Sequence, residues 1–175
     1  GRLDPLVSGL LLVLAGDEVR EKEKYVKLSK EYTFSVLFGF ATDTHDILGK
    51  VMRQLPRKDL WGKEELEARI RENLRFFTGK FKQKYQMYSS RTVKGKPLFT
   101  YARREKVVKL PIHEVYVENF KFLKLKKIGR KILWDNIERR IAKVKGDFRQ
   151  REILKTWKKL LVGERKLREE FFVAF

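Results

Sequence analysis

The sequence predicts an α+β fold, and three kinds of stretch predict it. Glu31 to Phe40 alternates, with Tyr32, Phe34, Val36 and Phe38 on one face, the period of two that marks a strand. Trp61 to Phe77, Ile128 to Lys145 and Gln150 to Leu161 instead repeat their apolar residues at helical spacing. The chain then closes on Phe171 to Phe175, an apolar run of strand length.

The elements follow in order. Val7 to Ala15 is apolar and β-permissive, closed by Gly16, and reads as a buried strand. Asp17 to Lys30 is charged and reads as a connection holding a short helical piece. Thr42 to Asp46 is an Asx-rich turn that ends at Gly49, and Lys50 to Leu55 a short strand. The helix at Trp61 to Phe77 opens on Lys63-Glu64-Glu65, carries Leu66, Ile70, Leu74 and Phe77 on its apolar side, and stops at Gly79. Phe81 to Val93 is irregular or extended. Gly95-Lys96-Pro97 starts a second helix, with Leu98, Tyr101 and Ala102 on its apolar side. Val107 to Lys126 is extended. The two last helices break at Gly146-Asp147.

Charge narrows the function. Lys and Arg number 42 against 23 Asp and Glu, a net charge of +19. Such an excess repels itself unless an anionic partner is present, and nucleic acid is the commonest. The basic residues crowd the segment from Lys121 to Lys159, as a solvated helical face or an RNA-facing surface. A membrane surface is the weaker reading, because no wide apolar face opposes the basic ones. With no cysteine, disulfides, thiolate metal sites and cysteine nucleophiles are excluded. The two histidines, His45 and His113, lack a second ligand at metal-binding spacing. No glycine-rich phosphate loop is present, and no stretch reads as a membrane span or signal peptide. What remains is Asp4 in a turn between Leu3 and Pro5, a set of strand-borne aromatics and a positive field. That set suits an enzyme that stacks a nucleobase and attacks with a carboxylate.

Three ordered blocks carry a family resemblance. Gly1-Arg2-Leu3-Asp4-Pro5-Leu6-Val7-Ser8-Gly9 resembles the G-x-L-D-P-x-A-x-G motif of the bacterial tRNA pseudouridine-55 synthases, the TruB-type family. Lys30-Glu31-Tyr32, Phe38-Gly39 and Thr42-Asp43-Thr44 with Asp46 and Gly49 are similar to its K-x-Y, L-G and T-D-T-x-D-x-x-G block. Phe77-Thr78-Gly79, Gln83, Tyr88-Ser89-Ser90, Gly95 to Phe99 and Tyr101-Ala102-Arg103 resemble its next block. Together they cover about the first two-thirds of the chain, and chance does not supply all three in order.

The resemblance implies a pseudouridine-synthase-like core, a mixed and mainly antiparallel sheet flanked by helices. It implies that one uridine in the T-arm of tRNA, position 55, is detached from C1′, rotated and rejoined through carbon, with no cofactor and no metal. It makes Asp4 the essential carboxylate, either adding to the sugar or removing a sugar proton. It gives Tyr32 the task of stacking on the flipped base, in place of a plain core aromatic. Asp43 is a candidate for RNA contact or for scaffolding of its Asx turn, and Arg103 for a phosphate contact or a snorkelling helix residue. A monomeric, cytoplasmic protein with tRNA as partner and no membrane is expected.

The family's G-T-Y-I-R segment, with the arginine that pairs with the catalytic aspartate, is missing and is expected directly after Phe175. The chain also opens without Met, so it is expected to be an inactive fragment: a catalytic core over 1–123, a basic helical insertion over 124–170, and the start of a core strand at 171–175. The alternative is a non-catalytic, basic RNA-binding or ribosome-associated protein that keeps the fold.

Overall fold

The computed structural model describes residues 3–56, 60–163 and 169–175. In chain order its elements are α1 (Lys22–Val26), β1 (Val36–Leu37), β2 (Phe40–Thr42), β3 (Val51–Gln54), α2 (Lys63–Leu74), β4 (Gly79–Lys84), β5 (Thr92–Val93), β6 (Lys96–Pro97) and α3 (Leu98–Arg103). The chain continues through β7 (Ile112–Val117), β8 (Leu125–Gly129), α4 (Arg130–Ala142), α5 (Gln150–Lys158) and β9 (Glu170–Ala174). All strand pairings among the described residues are antiparallel, which gives the α+β class the sequence predicts.

β9 holds the molecule together. It lies between β1 and β8, with Phe171 opposite Ile128 and Ala174 opposite both Val36 and Leu125. A strand flanked on both edges and covered on both faces reads as a continuous apolar run, as Phe171 to Ala174 does. Its alternation sends Phe171 to one face, among Leu133, Trp134, Ile137 and Ile141 of α4 and Ile153 and Trp157 of α5. Phe172 and Ala174 go to the other, against Leu66 of α2. Helices therefore cover the sheet on both sides.

The segment expected as an insertion has its described elements built into this core. Its first residues are the edge strand β8, and α4 and α5 supply most of the larger apolar cluster. Among the described residues three further strand pairs extend the framework, one of them the short β5–β6 hairpin. β2 pairs with β3, and β4 pairs with β7 over six residues, Gly79 opposite Val117 through Lys84 opposite Ile112.

One expected element does not form. Val7 to Ala15 is neither strand nor buried: Leu10 is 97% exposed and Val13 75%. β structure is a property of pairs, and no described strand lies beside this run to take its hydrogen bonds. The alternating run is also shorter than its pattern. Only Val36 and Leu37 pair with β9, while Tyr32 and Phe34 lie outside the ladder.

Candidate functional site

The site is assembled from turns that the core holds in place. Asp4 opens a turn closed by the Val7 amide, which donates to the Asp4 carbonyl at 3.0 Å. Leu6 anchors that turn by packing against the larger core cluster. Arg140 of α4 donates to the Leu6 carbonyl at 3.3 Å. The Asp4 side chain stays exposed. Gly1 and Arg2 of the motif lie outside the described residues.

The second turn, Thr42 to Gly49, folds onto its own side chains. Asp43 Oδ1 accepts the Lys50 amide at 2.9 Å, and Asp46 Oδ1 accepts the Leu48 amide at 2.8 Å and the Thr44 hydroxyl at 2.7 Å. Gly49 is required by close approach: a Cβ there would collide with Thr44 Oγ1 and lie 2.8 Å from both Asp43 Oδ1 and Thr42 Cβ. Partial dehydration among these atoms holds the Asp46 carboxyl above its ordinary pKa, against the two hydrogen bonds, and the Asp4 and Asp43 charges push the same way. Asp4 and Asp46 thus share one negative field.

Asp43 is neutralised from a distance in sequence. Arg149 Nη1 lies 2.8 Å from Asp43 Oδ2, and both side chains are only 16% exposed. The guanidinium sits 4.2 Å from the centre of the Tyr88 ring, and the Tyr88 hydroxyl bonds the same carboxylate. Burial chiefly raises the Tyr88 pKa, with Arg149 opposing it. Burial works against the Arg149 charge, but its hydrogen bond to Asp43 and the charges of Asp43, Tyr88 and Glu152 together outweigh that and raise its pKa. Arg149 reaches this place from a left-handed backbone conformation, φ 62°, immediately before α5. The glycine-hinged break at Gly146, φ 94°, leads the chain into it.

Asp43 therefore gathers Arg149, Tyr88 and the Lys50 amide, joining residues of the second and third motif blocks to the basic segment. Arg103 is tied to the same break, with Nη2 donating to the Asp147 carbonyl at 2.5 Å and Nη1 lying 3.4 Å from its carboxylate. Tyr32 stands apart, 70% exposed and with no ring contact among the described residues. Sequence reasoning did not single out Arg149. Its one local mark is a basic residue in a helix break, and nothing in the sequence links it to a partner 106 positions away.

Among the described residues no group of three His, Asp or Glu side chains is placed to hold a metal, and no helix is long and apolar enough to cross a membrane.

Comparison with known proteins agrees with the motif blocks. Residues 1–151 match the model of the TruB family pseudouridylate synthase N-terminal domain. A tRNA pseudouridine synthase B of Malacoplasma penetrans is 30% identical over 132 residues, 75% of this chain and 54% of that protein. Those of Lactococcus lactis subsp. cremoris (MG1363) and Syntrophus aciditrophicus are 33% and 39% identical, over 69% and 67% of this chain and 35% and 36% of their own lengths. The chain thus spans about a third to a half of the relatives it matches. With most of its length in register with the family model, the chain belongs to the TruB family of pseudouridylate synthases.

Proposed function

We propose that the protein carrying this chain is a cytoplasmic, monomeric enzyme that converts uridine 55 in the T-arm of tRNA to pseudouridine without cofactor or metal. One observation carries the reading: an open carboxylate, Asp4, on a turn fastened to the core beside the T-D-T-x-D turn, in a chain of this family. In this reading Asp4 acts on the sugar of the flipped nucleotide. Tyr32, a solvent-facing ring near the first strand, replaces the stacking that the base loses on leaving the T-loop. Asp43 and Arg103 serve the substrate by fixing the surfaces it meets, the Asx turn and the 146–149 break. Residues 124–170 are a basic helical insertion in the catalytic core, and its helices α4 and α5 pack into the larger apolar cluster.

The test is pseudouridine mapping on tRNA incubated with the whole protein and with its Asp4→Asn variant. The wild type forms pseudouridine at position 55. The variant forms none and binds tRNA with nearly unchanged affinity, since the substitution removes one exposed charge and keeps the turn. Turnover by the variant at the wild-type rate would falsify the role of Asp4. A wild type that binds tRNA and modifies none favours the non-catalytic alternative.

A further inference from the structure

Two helices of this protein treat their charges differently. On α2 the charges are compensated within the helix: Glu65 pairs with Arg69 at 3.0 Å and Glu67 with Arg71 at 2.9 Å, and both guanidiniums also cover aromatic rings, Trp61 and Phe122. That is the pattern of a solvated face. On α4 the charges are sorted. Its buried side carries Leu133, Trp134, Ile137 and Ile141. At about 100° per residue, Lys131, Asp135 and Glu138 fall on one flank of that side, and Lys131 pairs with Asp135 at 2.9 Å. Arg140 and Lys143 fall on the opposite flank and Arg139 on the outward face beside it, next to Asp135, which Lys131 already engages; all three cations are exposed, and none forms an ion pair among the described residues. Arg139 is four residues from Lys143, which repels it, and four from Asp135, whose charge Lys131 already meets. The helix dipole favours cations in a last turn, but it does not choose a flank.

The position of this flank is fixed by Arg140, whose guanidinium donates to the carbonyl of Leu6, two residues after Asp4. We propose that Arg139, Arg140 and Lys143 form a docking surface for the phosphate backbone of RNA, which lays the strand along α4 and past the Asp4 turn. The identity of the polyanion rests on the pseudouridine-synthase reading; the surface rests on the charge sorting.

The test is the salt dependence of binding to an unmodified tRNA transcript by the whole protein. Arg139→Ala with Lys143→Ala removes two cations and spares the Arg140 contact with the turn. The slope of log affinity against log salt becomes shallower by about 1.4–1.8, and affinity at 0.1 M salt falls about 30-fold, the effect of two lost phosphate contacts. The charge-retaining pair Arg139→Lys with Lys143→Arg restores both. A slope changed by less than about 0.5 with affinity within about twofold overturns the surface. An equal loss in the charge-retaining pair overturns it as well, since packing and not charge would then be responsible. Pseudouridine formation by the unaltered protein is scored separately. If it binds tRNA but forms none, the activity reading falls while the slope still decides the surface. If it binds no tRNA, both fall.

Discussion

Both side-chain hydrogen bonds that reach Asp46 end on one oxygen, Oδ1, one from the Thr44 hydroxyl and one from the Leu48 amide. An asparagine keeps that acceptor and discards the charge. The folded-state pKa of Asp46 is raised from 3.8, first by dehydration and then by Asp4 and Asp43, so ionising it is harder in the folded chain than in the unfolded one. Its contribution to stability is therefore complete below 3.8 and is lost as pH rises through the folded value. Asp46→Asn is expected to melt above the wild type at pH 7. That advantage should shrink as pH is lowered towards 3.8, in melting curves followed by circular dichroism. A variant that melts below the wild type at every pH would mean that the charge itself holds the turn. This turn was legible in sequence because its bonds span seven residues or fewer and Gly49 has one steric reason to be there. The Asp43–Arg149 pair was not, because only the packing of α5 against the framework brings the two together.

Helices were easier to read than strands, and α5 shows why. Its periodicity, continued into the turn that follows it, places Ile153, Trp157 and Leu161 on one face, and all three are buried. Helical spacing needs no partner to be visible, whereas Val7 to Ala15 has β propensity and no neighbouring strand among the described residues to express it. The pattern, read as a basic insertion, did not show that α4 and α5 would supply most of the larger apolar cluster. Trp157 measures that integration. It is 1% exposed, its ring lies 5.2 Å from that of Phe40, and its Nε1 donates to the Ile47 carbonyl at 3.2 Å. It thus ties α5 to β2 and to the turn that holds Asp43 and Asp46. Trp157→Ala is expected to cost about 3–5 kcal/mol, the range for a large aromatic removed from a packed core. Urea unfolding of the whole chain reads this directly. A loss below about 1 kcal/mol, the level of an ordinary surface change, would show that α5 is peripheral to the fold.

Over the whole molecule the +19 charge sets how stability answers to salt. Most described ion pairs are exposed, such as Arg69–Glu65 and Lys131–Asp135, and pairs of that kind contribute about 0–1 kcal/mol each. Screening them therefore loses little. Arg149–Asp43, with 16% exposure on each side, is the pair that salt reaches least. Repulsion among the uncompensated cations acts over longer distances, and it is cut back when the Debye length falls to about 10 Å at 0.1 M. The two effects have opposite signs, and the excess of cations decides between them. Raising sodium chloride from about 10 mM to 0.2 M is expected to raise Tm by a few degrees, at about 2–4 °C per kcal/mol for a chain of this size. Scanning calorimetry across that range settles the sign. A falling Tm would mean that the ion pairs outweigh the repulsion, and that the basic surface is already balanced within the fold. A rising one means that the folded chain carries unspent attraction for a polyanion, the condition that a phosphate-docking flank on α4 requires.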